Sequence, residues 1–471
     1  MLYQSGRGMG IRESLEGGTL WEIRDFVVGS KDLKGIRLLS SWEQKPTGLK
    51  GYDELLNMKN DNPIDIGKRI TELTSDLQML ETAYRKNKET LDDISLKNLA
   101  KEIATGQFKF IPNRTVEIPN VNGKIIKLGL ASPKDKIVQD VIKMILEAVY
   151  IKDFKETSHG YIKGRSCHTA LNLIKMKFGA VNWFIEADIK TCFDSFEHKK
   201  LLVEVEKKIK SQIFMDLLRK ALKVGYIDLN VIISDHIISP ILLNIYLHNL
   251  DEFMENIGKD ERQIYVRYAD AFIIGVIGSK KDCEEIKTKV KEYLENKLAL
   301  KLSEENIKIK HATTSYARFL ETDIRISPNI YKGEYLKKPL LLAPINMIVD
   351  KLKDKGMVKG VGNNPTRVGK WTNLTHEQII KKYLLVARSI LNYYIFVNNY
   401  ARLRARVLYI IKYSCALTLG SKLRIKTLNQ TFNKFGNSLK GKDMPGFDDN
   451  IFIKNKRLLR LTGSDKDKIW R

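Results

Sequence analysis

The chain has 471 residues, with 81 Lys+Arg against 56 Asp+Glu, a formal net charge of +25 and a sequence pI near 9.6. At roughly 100–200 residues per domain this length predicts two to four domains, and 43% hydrophobic residues exclude global disorder. Four scattered cysteines (Cys167, Cys192, Cys283, Cys415) without a CxxC pair argue against a disulfide scaffold or a thiolate zinc site. No apolar run is long enough for a membrane span, and the first residues lack a secretory pattern. Residues 1–60 are read as an N-terminal extension. Apolar spacing at Ile66, Ile70, Leu73, Leu77 and Leu80 predicts helix from Ile64 to Arg85, and Asp92 to Ile103 predicts another with Ser95 as its cap. Phe108 to Ser132 reads as two strands around the Asn122-Gly123 turn. Helix follows over Ile137–Val149, a buried strand over Trp183–Ile189, and helices over 197–222 and 239–256. A β-hairpin is expected at Ile264–Ile277, helix at 282–299, short strands near 306–326 and helix at 344–354. Residues 357–370 read as a basic Gly/Asn/Pro-rich loop, and Thr375 to Gly436 as helical.

The charge is uneven. Residues 331–471 carry a net +20, which leaves +5 on residues 1–330. A strongly basic third on a nearly balanced body points to a polyanion, with nucleic acid favoured over a membrane surface because no long amphipathic helix or lipidation signal accompanies it.

Four segments follow one another at close spacing: SHGYIKGRSCHTAL (Ser158–Leu171), FIEADIKTCFDSFEHKKLL (Phe184–Leu202), ISPILLNIYLHNLDEFM (Ile238–Met254) and VRYADAFIIG (Val266–Gly275). Their order resembles the reverse transcriptase of group II introns. The later stretch Leu374–Gly436, with its NYY and YSCA segments, is similar to the maturase domain (domain X) of those proteins. The resemblance implies an α+β right-hand polymerase fold, with fingers and an antiparallel palm followed by an α-helical thumb. The implied boundaries are fingers 61–178, palm 179–330, thumb and domain X 331–440, and a basic tail 441–471. A C-terminal zinc-dependent endonuclease pattern has no match.

Nucleotide polymerisation needs carboxylates converging on two divalent metals, for which hard oxygen ligands suit Mg²⁺. The resemblance places these at Asp188 and at a YADD turn. Here Asp270 supplies the first turn acid and Ala271 stands where the second is expected. Phe193 matches the position that excludes a ribose 2′-hydroxyl. The family's PQG segment is replaced by the stretch around Ser234-Asp235-His236, its fingers Arg is missing from Ile126–Ala131, and its primer-side Lys and Gly are Asn306 and Glu321. Nucleotide, metal and primer positions have all drifted, so the expectation is a polymerase fold without intact catalysis. At most a weak Mg²⁺ site remains at Asp188 and Asp270.

Arg and Lys contact phosphates, while Tyr, Trp and Asn stack on or bond exposed bases. The RNA-binding candidates are Lys124, Lys127 and Arg165 in the fingers, then Arg367, Lys370, Trp371, Arg388, Asn392, Tyr393, Arg402, Arg404, Arg406, Lys412, Lys422, Arg424 and Lys426. Tyr393, Tyr394, Tyr409 and Tyr413 equally fit the core of a helical thumb, and both readings stay open. The resemblance implies an organellar maturase, mitochondrial rather than chloroplast. It would bind group II intron RNA and promote splicing without chemistry of its own. It would need no cofactor, Mg²⁺ belonging to the RNA. The alternatives are an active reverse transcriptase and a structural subunit of a ribonucleoprotein.

Overall fold

The computed structural model describes residues 49–58, 62–87, 96–112, 114–119, 125–189, 197–224, 237–258, 262–331, 334–440 and 446–447. These form two compact units, one ending at Ser315 and one beginning at Tyr316. The Asn122-Gly123 turn, Ser95, Cys192, Phe193, Lys124 and residues 225–236 lie outside the described residues.

The first unit opens with helices α1 (Lys50–Asn57), α2 (Pro63–Thr74), α3 (Leu77–Asn87) and α4 (Leu96–Ala104). The single helix expected over Ile64–Arg85 is two. Asn62 caps α2 with Pro63 in its first turn, and Asp76 accepts from Met79 N to start α3. Strands β1 (Arg114–Pro119) and β2 (Ile125–Leu130) pair antiparallel. Helix α5 (Pro133–Tyr150), capped by Ser132, is buried around most of its circumference. Helix α6 (Cys167–Lys177) starts at a capping box of Ser166 and Thr169. After β3 (Trp183–Asp188) the helix expected over 197–222 is again two, α7 (His198–Lys208) and α8 (Gln212–Lys223), divided where Ser211 caps the second. Helix α9 (Ser239–Ile257) precedes β4 (Gln263–Tyr268) and β5 (Ala271–Val276), then α10 (Lys280–Leu298) and β6 (Ile307–His311).

Strands β3 to β6 make one antiparallel sheet in the order β4-β5-β3-β6. Its core is Phe184, Ile185, Val266, Ile273 and Ile274, all fully buried, with Leu242, Leu247 and Leu250 of α9 equally enclosed. Each such side chain stabilises the fold by about 1.5–3 kcal/mol relative to exposure.

The second unit contains a three-stranded antiparallel sheet of β7 (Ala317–Phe319), β8 (Thr322–Tyr331) and β9 (Glu334–Leu342). Helix α11 (Ile345–Asp354) and a short ribbon, β10 (Val358–Lys359) with β11 (Asn364–Pro365), lead to α12 (His376–Tyr393), α13 (Tyr400–Lys422) and α14 (Leu428–Phe435). The segment read as a basic loop over 357–370 thus contains this ribbon. Among the described residues no helix is long and apolar enough to cross a membrane.

Candidate functional site

The hairpin β4–β5 turns on Ala269-Asp270. Asp188, the last residue of β3, lies directly opposite Ala271 in the ladder, and Ile189 N donates to the Asp270 carbonyl at 2.9 Å. The two acids anticipated from the sequence are thus neighbours at one end of the two central strands, Asp188 exposed and Asp270 half-exposed. The position facing Asp188 carries only the Ala271 methyl. Among the described residues no group of three or more His, Cys, Asp or Glu side chains is placed to hold a metal. Two carboxylates with a methyl beside them are one acid short of the set that the YADD pattern implies for a two-metal centre.

Beneath this turn lies a charge network that the sequence reading missed. Arg267 of β4 is fully buried, and each of its five N–H donors has an acceptor. Nε and Nη2 reach the two Asp251 carboxylate oxygens at 2.7 and 2.6 Å, and Nη2 also donates to Ser158 Oγ at 2.6 Å. Nη1 donates to Asn244 Oδ1 at 3.0 Å and to the Ala269 carbonyl at 2.8 Å. Tyr265 donates its hydroxyl to Asp251 at 3.0 Å. Ala269 has φ +55°, a left-handed conformation that costs a non-glycine residue about 1 kcal/mol. The Arg267 bond to its carbonyl holds it there.

The loop at Thr157–Gly160 is fastened to the same place. Arg267 N donates to Thr157 O, His159 N donates to Arg267 O, and Asn244 Nδ2 donates to Gly160 O at 2.6 Å. A Cβ at Gly160 would lie 2.3 Å from Ala269 N, so only glycine permits this approach. His159 is buried there with its pKa lowered to about 3, by desolvation first and then by the charges of Arg165 and Arg267. It stays neutral. The available signals were an arginine inside an apolar strand and Asn244 and Asp251 seven residues apart on one helix face.

Arg165, expected to contact RNA, is half-exposed and donates to the carbonyls of Phe154, Lys155 and Ser158, which fastens this loop. Lys127 lies on β2 opposite Glu117.

In the second unit two expected base-stacking residues are core. Trp371 is 7% exposed and meets Tyr383 edge-to-face at 4.8 Å, so it has no face to offer. Tyr393 is 3% exposed. Its hydroxyl donates to the Leu320 carbonyl at 2.6 Å, and Tyr394 does the same to Glu321 at 2.9 Å. Leu320 and Glu321 form the β7–β8 turn, with φ +49° and +55°. The paired tyrosines therefore clamp a strained turn, helped by the Lys351–Glu321 ion pair at 2.9 Å. Asn398 and Asn399 continue the fastening by bonding Leu341 N and Ala343 N. Tyr383 joins Ser414 and Thr418, whose hydroxyls fix Thr366 and Val368 at the end of the ribbon. Burial pushes the Cys415 thiol up, which leaves it inert.

The remaining candidates line solvent. Arg367, Lys370, Arg402, Arg424 and Lys426 are exposed, and Arg388, Asn392, Arg404, Arg406, Lys412 and Lys422 half-exposed. Arg367, Arg406 and Lys422 each give one bond to a neutral oxygen, of Ser421, Asn363 and Thr372. From residue 378 to residue 442 the chain has thirteen Lys and Arg and no Asp or Glu. From the second residue past the α12 start to beyond α14, the charge of the chain is therefore of one sign.

An antiparallel palm sheet whose hairpin turn carries an acid, followed by a basic helical unit, is the architecture of a reverse transcriptase joined to a maturase domain. Residues 79–325 match the reverse transcriptase (RNA-dependent DNA polymerase) family, and residues 336–468 match the type II intron maturase family. The chain is 35% identical over 475 residues to the putative COX1/OXI3 intron 1 protein of Saccharomyces cerevisiae, covering 82% of this chain and 57% of that protein. It is 32% identical over 429 residues to the group II intron-encoded protein LtrA of Lactococcus lactis, covering 74% and 71%. An uncharacterized mitochondrial protein of Marchantia polymorpha is 24% identical over 410 residues, covering 65% and 56%. The chain belongs to the group II intron reverse transcriptase/maturase family. It spans just over half the length of the first curated relatives that it matches.

Proposed function

We propose that the protein binds structured group II intron RNA and promotes its splicing as a non-catalytic cofactor, in mitochondria. The RNA and its own Mg²⁺ supply the chemistry, and the protein supplies positive surface and rigidity. The observation that carries this reading is the basic stretch over residues 378–442, which holds no carboxylate, set against a palm turn with Ala271 in place of an acid. One acid fewer removes ligands from the metal centre that polymerisation requires. The names of the relatives, an intron protein in yeast and a mitochondrial protein in Marchantia, support the partner and the compartment. The test pairs two assays on the full chain. Splicing of the host intron at low Mg²⁺ is accelerated by the protein, with affinity falling steeply as salt rises. Primer extension with dNTPs and Mg²⁺ stays at background.

An active reverse transcriptase is the second reading. It is favoured by the Arg267 network, which keeps the turn and the fingers loop in place. Template-dependent incorporation above background would establish it and remove the first.

A further inference from the structure

One face of α13 is neither core nor simply charged. Arg402, Arg406, Tyr409 and Tyr413 follow at spacings of four, three and four, which aligns them along the helix. From Arg406 onward the contacts are continuous. The Arg406 guanidinium lies 5.9 Å from the Tyr409 ring centroid, and the Tyr409 and Tyr413 rings are 4.9 Å apart at 42°. Tyr413 meets Phe432 of α14 at 5.6 Å and 70°, and Lys412 Nζ lies 5.6 Å from the Phe432 centroid. Tyr409 is 44% exposed, with Tyr413 and Phe432 half-exposed. Buried Tyr383, Tyr393 and Tyr394 all bond protein groups. The Tyr409 and Tyr413 hydroxyls bond none among the described residues.

We propose that this strip is a stacking platform for unpaired nucleotides of RNA. The proposal deepens the maturase reading and rests on it. An exposed tyrosine face takes a base of any sequence, and flanking guanidinium groups add cation–π contact and phosphate neutralisation. From Arg402 to Tyr413 the helix rises about 16 Å, enough for a run of about three or four bases. Duplex RNA cannot use the site, because its bases already stack on one another. The surrounding stretch holds cations and no carboxylate, which selects a polyanion over a protein or an apolar ligand.

The test uses the full chain, a short unstructured RNA oligonucleotide and an RNA duplex of equal length. Tyr409→Ala should weaken oligonucleotide binding by about tenfold or more while changing duplex binding less than about twofold. Tyr409→Trp should keep the affinity, and its indole fluorescence should be quenched on binding. Tyr409 is exposed, so a thermal melt should show both variants folded. Unchanged oligonucleotide affinity in Tyr409→Ala overturns the platform, and if the wild-type chain still accelerates splicing, the maturase reading survives that failure. If Tyr409→Ala weakens oligonucleotide binding but the wild-type chain does not accelerate splicing, the platform stands and the maturase reading falls.

Discussion

In the unit that ends at Ser315, Arg267 bonds the hairpin turn and is sunk out of water with every donor paired. In the unit that begins at Tyr316, Arg367, Arg402 and Arg424 stand in solvent, within or beside a stretch of the chain that has no acid at all. The same side chain does opposite work in the two places. A buried guanidinium is structural, because its energy depends on partners fixed in one geometry. An exposed cation without a carboxylate neighbour adds little to stability and remains available to phosphate.

The largest effect should come from breaking the buried side of this contrast. Arg267→Met strands the Asp251 carboxylate and frees the Ala269 carbonyl, so it should cost about 3–5 kcal/mol in denaturant unfolding of the first unit. The exposed side should respond in binding and not in melting. Changing Arg367, Arg402 and Arg424 together to Gln should flatten the slope of log affinity against log salt by about 2, at about 0.7 per contact with single-stranded RNA, with the thermal midpoint unchanged.

Acid should act on the buried unit through His159. Unfolded, this residue takes a proton below its ordinary value near 6.5, whereas in the fold it stays neutral down to about 3. In that window the unfolded state binds more protons. His159 therefore contributes stability that is fully present above about 6.5 and is lost as pH falls towards 3, an effect that a pH series of denaturant melts would reveal and that His159→Gln should remove.

Tyr393→Phe should cost about 1–2 kcal/mol by leaving the Leu320 carbonyl one donor short, and should leave RNA affinity as it was. Lost affinity without lost stability would mean that Tyr393 touches RNA after all. Glu321→Gly should change stability by less than about 1 kcal/mol, because relief of the positive φ offsets loss of the Lys351 ion pair.

Much of the palm was legible in the sequence because its strands are apolar and bounded by turn residues and α9 is long and apolar. Strand β9 was not, since Lys337-Lys338-Pro339 breaks the alternation and only pairing with β8 makes it a strand. The divisions of 64–85 and 197–222 rest on single capping residues, Asp76 and Ser211, which apolar periodicity cannot register. The tyrosines were hardest. A Tyr on a helix fits core and surface equally well, and what separates Tyr393 from Tyr409 is a carbonyl some seventy residues earlier in the chain. The burial of Trp371 was hidden for the same reason, with partners that spacing does not disclose.

The five occupied donors of Arg267 also set the order in which this fold can change over generations. Any single replacement at Arg267, Asp251 or Asn244 leaves a partner stranded in the interior, so these positions can move only together. The side chain at position 271, at the end of a central strand beside an exposed acid, has no such tether and can be a methyl at little cost. Inheritance can therefore erase a surface carboxylate in one step while the frame built to aim it persists.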